Sequence, residues 1–113
     1  MEARFLNVSI DRPFDDVYEF LVEPANFARW AGGLDLEQNI RFAERNEFGV
    51  ADHSVYLPDG NEVYVPVRAI RNGDGAEVVL TFFRQPGMTD EEAERDAGTM
   101  RADLLRLKEV LEG

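Results

Sequence analysis

Residues 89–113 spell one long amphipathic helix, and a helix of that length with a single apolar stripe needs a surface to lie on. Ala93, Ala97, Met100, Leu104, Leu107 and Leu111 recur at alternating four- and three-residue steps, which puts all six on one face. Thr89 with Glu92 gives a capping-box pattern. Asp90, Glu91, Glu92 and Glu94 crowd the positive end of the dipole, and Gly113 follows the last apolar residue. About 24 helical residues run roughly 36 Å, enough to cross a small sheet from edge to edge.

The preceding chain supplies such a sheet. Ala3 to Ile10 alternates, with Leu6, Val8 and Ile10 on one face and Phe5, Asn7 and Ser9 on the other, which predicts a half-buried strand. Asp11 is placed to cap a short helix with Pro13 in its first turn and Phe14, Val17, Tyr18 and Leu21 inward. A second short helix is expected from Pro24 to about Arg29, with Trp30 just before a break at Gly32-Gly33. From Leu34 to Phe48 the pattern is weak and supports only a short or edge strand around Ile40 and Phe42. Three clearer strands follow, at about 49–57, 62–71 and 76–84, joined by hairpins at Pro58-Asp59-Gly60-Asn61 and Asn72-Gly73-Asp74-Gly75.

If both hairpins turn through two residues, one sheet face collects Val50, Asp52, Ser54, Tyr56, Val63, Val65, Val67, Ala69, Val78, Leu80, Phe82 and Arg84. The valine run marks this as the face toward the long helix. Asp52, Ser54, Tyr56 and Arg84 then share that side. Two readings stand: they are the polar points of a pocket between sheet and helix, or they lie at strand ends and reach solvent. The opposite face, with Val55, Leu57, Tyr64, Ile70, Val79 and Phe83, is too apolar for open water. A homodimer through that outer sheet face is the simplest cover, with Arg68 and Glu77 as a cross-strand ion pair.

The 113 residues fit one domain, 1–113. A net charge of -11 repels polyanions and anionic membrane surfaces, so nucleic acid is not an expected partner. No apolar run is long enough to insert in a membrane, and the lack of cysteine removes disulfides and thiolate chemistry; a soluble, cytoplasmic protein is expected. With one histidine, no multi-histidine metal site can form, and neither metal nor cofactor is expected. Asp52-His53-Ser54 cannot be a triad on a strand, since neighbours point to opposite faces. Tyr18, Phe27 and Trp30 would close one end of the sheet, either gating a ligand or plugging the core.

This layout resembles the SRPBCC superfamily, which includes START lipid-transfer domains, birch-pollen-allergen-like proteins and the polyketide cyclase/dehydrase group. Val8-Ser9-Ile10-Asp11-Arg12-Pro13-Phe14-Asp15-Asp16-Val17-Tyr18-Glu19-Phe20-Leu21 looks like the opening strand and helix, and Asp103-Leu104-Leu105-Arg106-Leu107-Lys108-Glu109-Val110-Leu111-Glu112 like the closing helix. Phe42 to His53 and Thr81-Phe82-Phe83-Arg84 look similar to small bacterial polyketide-cyclase-like members. The resemblance implies an α+β helix-grip fold: a curved antiparallel sheet of about five strands wrapped on the C-terminal helix, with two short helices after strand 1. It also implies a hydrophobic cavity for a lipid, polyketide or other apolar molecule. The chain is shorter than the usual domain by about two strands, which should shrink the cavity or open one edge. The superfamily has no universal catalytic set to carry over.

The expected function is a binding module for an apolar or aromatic small molecule, with Trp30, Tyr56, Val65, Val67, Phe82, Arg84, Met100 and Leu104 lining the site. The alternatives are a cyclase- or dehydratase-like enzyme using His53 or Asp52 as general base, and a dimeric interaction protein without a ligand.

Overall fold

The computed structural model describes residues 1–32 and 40–113. Gly33 of the expected break, and residues 34–39 of the weakly patterned run, lie outside the described residues. The elements are β1 (Ala3–Ile10), α1 (Phe14–Val22), a 3-10 turn (Pro24–Asn26), α2 (Phe27–Trp30), β2 (Ile40–Phe42), β3 (His53–Tyr56), β4 (Glu62–Val65), β5 (Val67–Asn72), β6 (Gly75–Phe83) and α3 (Asp90–Glu112). The fold is α+β, as expected.

The strands pair into two antiparallel three-stranded sheets, β1-β6-β5 and β2-β3-β4. The expected strand 62–71 therefore exists as β4 and β5, parted at Pro66, which has no N–H to give to a ladder. The ribbon does not end there. Thr81 N–H donates to Pro66 O, Ala51 N–H to Val67 O, and Ala69 N–H to Gly49 O, so the two sheets are one curved surface bent at Pro66. Gly49 has φ of 80°, and a Cβ there would lie 2.1 Å from Ala69 O, so only glycine lets the two backbones approach this closely.

Leu6, Val8 and Ile10 face inward from β1, while Val78, Leu80 and Phe82 do so from β6 and Val67 and Ala69 from β5. β1 and β6 align Leu6 with Leu80, and β5 and β6 align Val67 with Leu80. α3 lies along β1 and against α2, burying Ala93, Ala97, Leu104, Leu107 and Leu111; Met100, the sixth member of its stripe, is half-buried. Its capping box forms as expected: Glu92 N–H donates to Thr89 Oγ1 and Thr89 N–H to Glu92 Oε1. α1 buries the four residues expected, but Pro13 rather than Asp11 holds its N-cap position, and no side chain caps it. The Asp11 N–H is instead taken by Glu112 at the far end of α3.

Candidate functional site

β3 does not have the face assignment that two-residue hairpins predict. Leu57 N–H donates to Asn61 O and Gly60 N–H to Leu57 O, so the loop is the three residues Pro58-Asp59-Gly60, with Gly60 at φ 88°. One extra loop residue reverses every side chain of the incoming strand. His53 pairs with Val65, and Val55 with Val63, on the inner side; Ser54 pairs with Tyr64, and Tyr56 with Glu62, on the outer side. Asp52, Ser54 and Tyr56 therefore lie on the outer side, and His53 on the inner side, against Phe27 of α2.

His53 is 5% exposed and sits in a group of rings. Its centroid is 5.2 Å from that of Phe27, edge-on, and 5.6 Å from Phe42, its cross-strand neighbour. Phe27 also meets Trp30 at 5.4 Å and Phe42 at 5.7 Å, both edge-on. Burial pushes the imidazole down to about 4, against the upward pulls of its hydrogen bond to the Ala51 backbone and of the Asp52 carboxylate. The ring is therefore uncharged at neutral pH and a weak base.

Trp30 is held from behind. Arg106 Nη1 donates to Trp30 O at 2.8 Å and to Asp103 Oδ1 at 3.1 Å, and Gly32 N–H donates to Asp103 Oδ1 at 3.2 Å, which ties the end of α2 to α3. Burial raises the Asp103 carboxyl, opposed by the bonds from Gly32 and Arg106. Trp30 is 2% exposed, and its Nε1–H has no hydrogen-bond partner among the described residues. A buried donor left unmade costs about 1–3 kcal/mol. Tyr18, by contrast, is satisfied: its hydroxyl accepts from Asn46 N–H at 2.8 Å.

Asp52 is 1% exposed, on the other side of the sheet, directly across from the break at Pro66. Its Oδ1 accepts from Val67 N–H and Arg68 Nε, and its Oδ2 from Tyr64 Oη and Arg68 Nη2, at 2.5–2.9 Å. Burial raises the carboxyl, but the bonds from Arg68, Tyr64 and Val67 together outweigh it and hold it below the usual carboxylate range. With four donors in place, this carboxylate is a structural acceptor with little capacity left to take a substrate proton. Arg68 is thus spent on Asp52; the expected Arg68–Glu77 ion pair does not form, because Arg68 stands opposite Val79 and Glu77 accepts from Asn7 and Ser9. Ser54 donates to Glu62, which separates it from His53 as the alternation required.

The remaining expected lining residues divide. Val65, Val67 and Leu104 are buried in the same core cluster as Trp30, with Met100, Ile40, Phe42 and Val63 half-buried against it. Phe82 belongs to a second cluster with Ala93 and Ala97, under the first turns of α3. Tyr56 is 36% exposed on the outer face. Arg84 lies beyond the end of β6, where its Nε and Nη2 donate to Met88 O and its Nη1 to Asp90, stitching the turn before α3. Sequence reasoning missed Phe42 as the ring beside His53, and Tyr64 and Arg68 as the partners of Asp52; a proline inside a strand pattern was the signal for the latter. An open groove of about 490 Å³ lies elsewhere, outside α1, where Arg12 pairs with Asp16, Arg45 with Glu19, and Arg29 stacks over Phe20.

No family model and no curated protein matches the chain. Solved structures do. DynU16, a protein of the dynemicin biosynthetic locus, superposes with a TM-score of 0.72 at 18% identity over 99% of this chain and 48% of its own, so the chain spans about half its length. An AHSA1-like protein from Rhizobium etli gives 0.70 at 20% identity, covering 99% of this chain and 82% of that one. ChR145 from Cytophaga hutchinsonii gives 0.72 at 19% identity, with 99% and 94% covered. These likenesses establish the architecture: the chain shares with these structures an α+β helix-grip fold, an antiparallel sheet packed on a long C-terminal helix.

Proposed function

We propose that the chain is a small binding module that takes an apolar or aromatic molecule, lipid- or polyketide-like, between the sheet and α3. The observation that carries this reading is an inner sheet face without charge among the described residues: Asp52 and Arg84, the two charged residues expected there, are engaged elsewhere. What remains is Val65, Val67, Leu104, the ring group and half-buried Ile40, Phe42, Val63 and Met100 at its margin. Such a lining favours apolar surface and penalises any ligand charge. The fold neighbour from a biosynthetic locus is in keeping with a polyketide-like ligand. Binding is favoured over general-base catalysis, because Asp52 is fully engaged and His53 has an imidazole at about 4. The cysteine-free composition fits a reducing compartment, and we assign the protein to the cytoplasm.

Native mass spectrometry of the protein as purified, followed by thermal shifts across fatty acids and polycyclic aromatics, tests this. A ligand at 100 times its Kd stabilises by about 2.7 kcal/mol, which is readily seen as a shift. No retained mass and no shift across the panel overturns the proposal.

The outer sheet face favours a second property, self-association. Phe5 is 72% exposed, and Tyr64 and Ile70 are each 50% exposed. A homodimer through this face is expected, and a monomer by size exclusion with light scattering would refute it.

A further inference from the structure

We infer that the ligand is a neutral, planar aromatic molecule carrying a hydrogen-bond acceptor, such as a carbonyl or ether oxygen, and that Trp30 Nε1–H is the donor that receives it. This rests on the binding reading above and narrows it to a chemical class. The indole N–H is buried, and among the described residues nothing accepts from it. At 2% exposure, Trp30 is out of reach of bulk water, and Arg106 and Asp103 hold its backbone in place. Buried donors without partners are rare, and each asks for an explanation such as a missing acceptor.

The surroundings say which acceptor. Phe27, Phe42 and His53 supply ring faces and edges suited to a flat aromatic body. None supplies a free cation: His53 is uncharged at neutral pH, the guanidinium of Arg68 is bound to Asp52 on the other side of the sheet, and that of Arg106 is already paired with Asp103 and the Trp30 carbonyl. A carboxylate or phosphate would be buried without a counter-charge, whereas a ketone or ether oxygen needs only the donor that is waiting.

The chain has one tryptophan, so its indole gives a single cross-peak in a proton–nitrogen correlation spectrum. Three probes suffice: 2-acetylnaphthalene, its olefin isostere 2-isopropenylnaphthalene, and 2-naphthoate. The ketone is expected to bind about tenfold tighter than the olefin, equivalent to about 1.4 kcal/mol, and to move the indole proton downfield. Trp30→Phe should remove that advantage and bring the ketone and olefin affinities to within about twofold of each other. Equal affinities for ketone and olefin, an unmoved indole peak, or naphthoate binding tightest would overturn the inference while the apolar-binding reading stands. No titration heat and no peak movement with any of the three would remove both. The comparison of probes on the unaltered protein needs no variant, so a misfolded Trp30→Phe does not spoil it.

Discussion

Asp52→Ala should be among the more damaging single substitutions in this chain, for a reason that lies in the backbone. Pro66 leaves a gap in the ladder across from Asp52, and the Asp52 carboxylate fills it by accepting from the buried Val67 N–H. Truncation strands that N–H, at a cost of about 1–3 kcal/mol. The contacts to Arg68 and Tyr64 add less, because both side chains are half-exposed and can turn to water; roughly 1 kcal/mol for the pair is a fair allowance after screening. The total is about 3 kcal/mol, or about 12 °C in Tm for a domain of this size. Urea unfolding of three variants separates the contributions. Asp52→Ala should lose about 3 kcal/mol, Arg68→Met about 1, and Asp52→Asn also about 1, because the amide oxygen still accepts from Val67. If Asp52→Asn is as harmful as Asp52→Ala, or Arg68→Met matches both, the charge rather than the ladder gap carries the stability and the reasoning fails.

Other expectations follow from the same structure. His53 is buried uncharged, with a folded value of about 4 against 6.5 for the free imidazole, so the unfolded chain takes the proton first; stability is full above about pH 6.5 and falls as pH drops toward 4. About 2 kcal/mol should go between pH 7 and pH 5, read from urea midpoints, and His53→Phe should flatten that slope. Asp52 acts lower down: its depressed carboxyl contributes stability present above the ordinary carboxylate value and lost as pH falls through the folded one, a loss that Asp52→Asn should abolish. Thr89→Ala removes half of the capping box and should cost about 1 kcal/mol by thermal unfolding. Gly49→Ala meets Ala69 O and a positive φ together, and should cost more than the cap substitution does.

Most elements were legible because their periodicities are strong. The α3 stripe, the four inward residues of α1 and the alternation of β1 each repeat often enough to overrule a stray residue. The candidate site was not, and the cause is local. A loop of three residues rather than two, set by Gly60 in a left-handed conformation, reverses β3, and the identity of the residues at Pro58-Asp59-Gly60-Asn61 does not choose between those lengths. That single step moved Asp52 and Tyr56 out and His53 in. Arg84 follows the second of the two readings, that of a strand end, for a different reason: parity fixes the side on which a strand residue starts, but a long side chain past the strand end follows its partners, here Met88 O and Asp90. Phe42 sits in a stretch whose composition carries no periodic signal, so only the ladder with β3 brings it to His53.

The bend at Pro66 has a consequence for how the molecule comes apart. Across it, few main-chain bonds connect the β2-β3-β4 portion to the part that α3 covers, with Thr81 to Pro66 and Ala51 to Val67 among them. Amide protons in β3 and β4 should therefore exchange with deuterium through a partial opening that costs less than global unfolding, while those of β1, β6 and α3 wait for the whole domain. An opening of that kind would uncover the ring group around Phe27 without dismantling the remainder, giving a guest a route in and out of a protein that otherwise stays folded.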